Sequence, residues 1–482
     1  MHRRRRPPWC RPRLPWPCRR HRPARRRPPA RPHRRPRPPA RRLPRPPLRP
    51  LSRETRHGVT SEGKITALFP ISNRPVRLSM AGFRSKAPQR LSPDAERLVA
   101  DALALDASGS RIEDVYWEQR LSERLSRLLK NGSQSALDAA LDHLFKHNEE
   151  ASDVLAEQAE TLAESAVLSS GGVEYDALLI AAPILAHTRY AIPSGAVKAE
   201  LAQTLQVHLQ AHVLASTARV ALAPYLYSID QLPRTHSDTF ALTHKLAAYA
   251  LSGQAPKVDL RDMPETAPIL ADPRYLLAIV VAQHGQPLFR WQEDSKEHHA
   301  ERTTCLEQWR EQVTPTISSL MPGCEFELLL PDAFFLSCRE SDKRIRPLTV
   351  RAAVNYLQGA LELPADRFSA IVGAFGEESI EEYRVAFTVR GEKDLIYGIV
   401  WPVYGRDGGA TEVNAEGEPG SPLEQICEEL RACGIEDIFR HGQLFEPEYC
   451  EDCGAPLYAD RTAEIVHAEM PEDAPTQQPL FH

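Results

Sequence analysis

Apolar residues recur three and four positions apart through residues 92–168, the spacing of one buried face of a helix. Ser92 before a proline is a helix-start signal, and Gly132 after an asparagine is a helix-stop signal. The pattern predicts an N-terminal helical domain of about four helices, over residues 88–170.

The pattern changes after Gly171-Gly172, where short apolar runs alternate with helical stretches. Strands are predicted at 177–185, 219–227, 275–281, 288–291, 325–330, 369–375, 383–389 and 395–403, and helices at 196–214, 237–251, 301–320, 349–361 and 421–434. These elements form α+β units over 175–253 and 273–403, followed by a C-terminal helix and tail over 421–482. The fold class predicted is therefore α+β, with a mixed sheet covered by helices; ferredoxin-like repeated units are the more specific hypothesis.

Composition sets the N-terminal segment apart from the rest of the chain. The first fifty residues contain 20 Arg and 16 Pro and no Asp, Glu or Lys, so residues 1–79 are predicted to be a disordered arm. Three interpretations are open: sequence upstream of a true start at Met80, a dispensable tail, or an arm that binds nucleic acid. The first is favoured, because Met80 is the next methionine and GC-rich DNA read in frame gives this composition.

The charge of the remaining chain restricts its partners. Residues 80–482 hold 35 basic and 62 acidic side chains, a net charge of −27. This charge argues against binding to nucleic acid or to an anionic membrane surface. No apolar run is long enough to cross a membrane. Seven cysteines remain, an odd number without a secretion signal, which predicts reduced thiols and a cytoplasmic location.

The sharpest motif is Cys450-Glu-Asp-Cys453 followed by Gly454. Two thiolates on such a turn can bind one zinc ion, and structural zinc takes four ligands. His441 and His467 are the nearest candidates to complete the site, with Cys433 and His482 as more distant options. Structural zinc, held within one chain or shared across a homodimer, is favoured over a redox dithiol or two ordinary thiols.

A second cluster is basic. Arg344, Arg346 and Arg351 flank the predicted start of a helix near Thr349. Cations there oppose the helix dipole, which suggests an anion held by the arginines and the free amides of the first turn. A phosphate or carboxylate ligand is the functional interpretation, and pairing with neighbouring acidic residues is the alternative.

Several stretches together resemble a proteobacterial family of unknown function, numbered 2863. They are residues 90–99, 139–145, 176–183, 227–233, 289–293 and 450–457. The resemblance covers residues 88–475 and implies no activity, substrate or catalytic residue. The leading hypothesis therefore rests on the cysteine motif: a protein with a structural zinc knuckle and a regulatory or interaction role. The alternative is an enzyme or sensor that binds an anionic small molecule, and the sequence neither shows nor excludes catalysis.

Overall fold

The computed structural model describes residues 90–259, 263–266, 269–293, 300–377, 379–403 and 420–471. This part of the chain begins with four helices: α1 (Pro93–Asp106), α2 (Arg111–Lys130), α3 (Gln134–His147) and α4 (Glu149–Glu164). The Ser92 side chain accepts a hydrogen bond from the amide of Ala95, and Pro93 opens α1. The predicted helices and this start signal are confirmed.

Gly171 and Gly172 form a hairpin turn where the sequence suggested only a break between domains. The turn joins β1 (Ser165–Ser170) to β2 (Val173–His187), which pair in antiparallel fashion. Both glycines have positive φ, 61° and 79°, as a two-residue turn of type I′ requires. The helical domain therefore continues directly into the first sheet.

A seven-stranded, wholly antiparallel sheet follows, called here the large sheet. Its other strands are β3 (Gly195–Ala196), β4 (Arg219–Ser228), β5 (Ala271–Gln283), β6 (Glu325–Leu328) and β7 (Asp332–Ala333). The strand order is β1-β2-β5-β4-β3. One edge of β2 pairs with β5 from Tyr175 to His187, and the other edge is shared by β1, β7 and β6. The predicted strand at 288–291 is wrong: it is a bridge at Phe289 and a 3₁₀ turn.

Helices cover both faces of the large sheet. One face packs against α5 (Ala199–His212) and α7 (Arg302–Leu320), and the other against α6 (His236–Ser252) and the four N-terminal helices. Alternate residues of β2 divide between the two cores: Leu179 lies in one and Ile180 in the other. Because both faces are buried over residues 177–186, that part of β2 is an unbroken apolar run.

Helix α8 (Phe334–Leu361) is much longer than the predicted helix at 349–361. Phe334 packs in the core on one face of the large sheet, whereas Val350 and Leu357 pack against a second sheet. Pro347 lies inside the helix, which typically costs about 3 kcal/mol. Burial of apolar residues on both sides of the proline offsets that cost, so the helix continues through it.

The second, small sheet has four strands in the order β10-β9-β8-β11. They are β8 (Phe368–Phe375), β9 (Glu382–Val389), β10 (Tyr397–Pro402) and β11 (Asp437–Phe445). β8 and β11 run parallel and the other pairs antiparallel. The second half of α8 and α9 (Pro422–Ala432) cover one face, and a short hairpin of β12 (Tyr458–Ala459) and β13 (Ile465–Val466) covers the other.

The α+β class and the mixed sheet are therefore confirmed. The strand orders of the two sheets differ, which gives repeated ferredoxin-like units no support.

Buried acids gather where α8 crosses the large sheet. Burial raises the pKa of Asp342 to about 7 and that of Asp272 to about 6, although each has an arginine nearby. Burial also raises the pKa of Glu164 to about 7, against the opposing effect of a 2.9 Å hydrogen bond from the amide of Phe335. For each group the folded protein favours the protonated form more than the unfolded chain does. Stability from these acids is present at low pH and is lost as pH rises through the raised pKa values.

The variant Asp342→Asn tests this assignment, because asparagine has no proton to lose. Relative to wild type, its free energy of unfolding should rise by roughly 2–4 kcal/mol between about pH 4 and about pH 8. Urea unfolding at a series of pH values measures the difference. Asp106→Asn is the matched control, since Asp106 is exposed. A difference for Asp342→Asn that stays constant with pH would contradict the assignment.

Candidate metal centre

The Cys450–Cys453 loop is a tight turn closed by short antiparallel pairing. The amide of Cys450 donates to the carbonyl of Ala455 at 2.8 Å, and the amide of Gly454 donates to the carbonyl of Cys450 at 2.9 Å. Gly454 has a φ of 74°, the left-handed conformation that glycine adopts without strain. Below the loop, the amide of Leu457 donates to the carbonyl of Glu448 at 3.1 Å. We call the segments on either side of the loop, residues 448–449 and 456–457, the stem.

Three side chains meet at this loop. Ligand atoms of Cys450, Cys453 and His467 all lie within 4.8 Å of one another, and the Cys453 Sγ is 3.2 Å from the His467 Nε2. His467 directly follows β13, so the hairpin carries it back to the loop. The turn of the hairpin is held by Asp460, whose carboxylate accepts from the amides of Thr462 and Glu464 at 2.8 Å each.

The surroundings favour a thiolate at the first cysteine. Hydrogen bonds from the amides of Cys453 and Asp452 lower the pKa of Cys450. Burial raises the pKa of Cys453. On the far side of the imidazole, the His467 Nδ1 faces the Glu469 Oε1 at 3.2 Å, the position where metal-binding histidines usually have a carboxylate.

The donor set fits zinc. Two thiolates and one imidazole are borderline-soft ligands that Zn²⁺ binds in tetrahedral sites. In the ranges that the structure describes, this is the one group of three or more such side chains, and it has three members. One tetrahedral position is thus left for a further ligand. Cys453 is exposed, so a ligand can approach from solvent.

The sequence suggested His441 and His467 as zinc ligands, and the structure places them in different settings. His441, on β11, donates from Nε2 to the carbonyl oxygen of Asp460 at 2.7 Å and lies edge-on between the rings of Phe439 and Phe445. It supports the turn of the hairpin and is not in the three-residue group. Cys433 caps the end of α9 and is also outside the group. His482 lies outside the described residues.

A buried arginine beneath the loop was missed by the sequence reasoning. Arg384 is on β9, and its side chain has 0% exposure. It donates to the backbone carbonyls of Glu448 at 2.8 Å and of Leu457 at 2.5 Å, on opposite sides of the stem. The available signal was one arginine near the start of a largely apolar strand.

The hairpin also depends on one glycine of the small sheet. A Cβ atom built on Gly398 would lie 2.2 Å from the ring of Tyr458, far inside van der Waals contact. Tyr458 is 3% exposed and packs with Ile371 and Ala386 of the sheet. The absence of a side chain at Gly398 therefore lets the hairpin lie flat on the strands.

The arginine cluster has a different setting from the one predicted. The helix start near Thr349 is wrong, since α8 begins at Phe334, and the cluster therefore lies inside a continuous helix. Arg351 forms two hydrogen bonds with Glu429, at 3.0 and 3.1 Å, and Arg344 lies 3.6 Å from the carboxylate of Glu340.

The third member, Arg346, is buried and donates to the carbonyl oxygen of Pro402 at 2.8 Å. The free helix amides on which the anion site depended are thus absent at this point of α8. Pairing within the protein was the alternative interpretation, and it is what these contacts show. An anion ligand at the cluster stays a prediction.

In the described ranges, no helix combines the length and the apolar character needed to span a bilayer.

Comparison with known proteins identifies one family. A family model described as "Protein of unknown function (DUF2863)" matches residues 83–481. No curated protein and no solved structure matches the chain.

Adding a side chain at Gly398 should lift the hairpin from the sheet. We expect Gly398→Ala to lower the melting temperature, because its methyl group and the Tyr458 ring cannot occupy the same space. The cost of such overpacking is typically about 1–3 kcal/mol. Gly109→Ala is the control, since nothing lies within 4 Å of a Cβ there. Equal melting temperatures for both variants would contradict the packing described.

Proposed function

We propose that this chain, which belongs to the DUF2863 family of proteins of unknown function, is a zinc-binding protein whose metal fastens the C-terminal hairpin to the small sheet. The observation that carries the proposal is the convergence of Cys450, Cys453 and His467 from two separate segments. Family membership adds no activity to this argument, since the family has none assigned.

Zinc accounts for this arrangement better than a redox dithiol does. Reactive Cys-x-x-Cys pairs typically open a helix, whereas here the loop leads through Pro456 into a short strand. An imidazole nitrogen 3.2 Å from the Cys453 Sγ is also at a distance suited to sharing a metal ion. Two ordinary thiols in a loop would require neither the histidine nor the amides directed at Cys450.

The metal would have a mechanical role. β12 and β13 contain two residues each, too few to form a stable hairpin without further support. A zinc ion bound to the loop and to His467 would close the intervening segment and hold Tyr458 on the sheet. Residues such as Ile371 and Phe375 on the covered face would lose that cover without the metal. Metal occupancy would therefore regulate access to this apolar face.

The remaining coordination position supports an interaction role. A ligand there could come from another part of the chain or from a second copy, and the second case predicts a metal-bridged homodimer. The two cases differ in oligomeric state, because only a ligand from a second copy makes a dimer that depends on bound zinc. With three ligands on each chain, both cases give about one zinc per chain. An enzyme or sensor for an anionic small molecule is less well supported, since Arg344 and Arg351 contact carboxylates of the protein itself.

Metal analysis of the purified full-length chain tests the proposal. We expect about one zinc per chain, lost in Cys450→Ser and in His467→Gln and retained in His441→Gln, because His441 is used in a backbone hydrogen bond. Cys324→Ser controls for the loss of a thiol elsewhere. The proposal fails if wild type binds no metal, or if His467→Gln retains the same metal content as wild type.

A further inference from the structure

The stem of the metal-binding loop rests on one buried side chain. Arg384 points from β9 towards the C-terminal segment, on the face opposite to the one where its neighbours Tyr383 and Val385 pack against α8 and α9. Its guanidinium group donates to the carbonyl oxygens of Glu448 and Leu457, which lie on the two arms of the stem. One planar group therefore joins both ends of the loop that carries the cysteines.

The contacts around the guanidinium group fix its orientation. It pairs with Glu382 on the same strand, with the Arg384 Nε donating to the Glu382 Oε1 at 2.8 Å. The rings of Phe375 and Tyr449 lie 4.3 Å and 4.9 Å from the guanidinium carbon. Arginine supplies this combination because its guanidinium group is a flat fork of donors that also stacks on aromatic faces, whereas the lysine ammonium is a point charge without that fork.

Packing alone does not explain a buried charged side chain beneath the stem. Burial of an ion pair is costly, and an apolar side chain of similar size would often serve stability as well or better. Arg384 is directed at carbonyl oxygens two residues before Cys450 and four after Cys453, and it touches neither sulfur atom in the contacts described. From this position Arg384 can fix the geometry of the loop that carries Cys450 and Cys453.

We infer that Arg384 is a positioning residue for the metal site: it holds the stem so that Cys450 and Cys453 are preorganised, and it thereby sets the zinc affinity. The inference rests on the proposed zinc-binding function and adds a determinant outside the ligand set. Residues that hold metal ligands in place without binding the metal also matter. Their removal commonly weakens metal affinity by about 10–100-fold.

The test is a zinc affinity measurement by competition with a chromophoric chelator, on the full-length chain. Arg384→Met should weaken zinc binding by about 10–100-fold. The zinc affinity of Arg384→Lys should lie between those of Arg384→Met and wild type. Lysine keeps the charge but cannot donate to both carbonyl oxygens in one plane. Far-ultraviolet circular dichroism checks that each variant is folded.

Arg274→Met is the matched control. Arg274 is 1% exposed, lies on β5 of the large sheet, and donates to the carbonyl oxygens of Ile192 at 2.9 Å and of Pro193 at 2.8 Å. Its loss should lower the melting temperature as the loss of Arg384 does, yet leave zinc affinity at the wild-type value. This pair separates positioning of the site from general stability.

Each outcome decides a specific point. If wild type binds no zinc, the proposed function fails and the inference fails with it. If wild type binds zinc and both Arg384 variants bind it equally well, only the inference is overturned. It is also overturned if Arg274→Met weakens binding as much as Arg384→Met, or if neither Arg384 variant folds. If only Arg384→Met fails to fold, Arg384→Lys decides.

Discussion

Both faces of both sheets have to be covered, and this constraint shapes the rest of the molecule. Helices cover both faces of the large sheet and one face of the small sheet. Among the described residues, the hairpin of β12 and β13 covers the last face, with Tyr458 and Ala459 packed against the strands. A cover of two-residue strands buries little apolar area, so it needs other support. The group of Cys450, Cys453 and His467, the Arg384 contacts and the space at Gly398 all lie at this one weak cover.

Helix α8 joins the two sheets and explains where buried charge collects. Because it runs continuously from Phe334 to Leu361, polar residues near its middle are enclosed between the layers. Asp342 and Arg346 lie one helical turn apart there, and burial outweighs the attraction of the arginine in its effect on the Asp342 pKa. Because the helix is continuous near Arg346, the amides of a first turn are not available there.

Local patterns in the sequence predicted the local structure well. The helix start at Ser92 and the turn-forming glycine of the Cys450 loop needed only neighbouring residues, and the structure has both. Contacts between distant residues could not be predicted in this way. The sequence around His467 and His441 does not show which of the two the hairpin brings to the Cys450 loop. The continuation of α8 through Pro347 likewise depends on packing against cores on both sides of the proline.

The central claim is that metal holds the hairpin on the small sheet. Hydrogen exchange of the full-length chain, with zinc bound and after removal by a chelator, tests it most directly. The account predicts that amides of β12 and β13 lose protection when zinc is removed, while amides of β2 and β5 in the large sheet keep theirs. Unchanged protection of the hairpin without zinc would contradict the account.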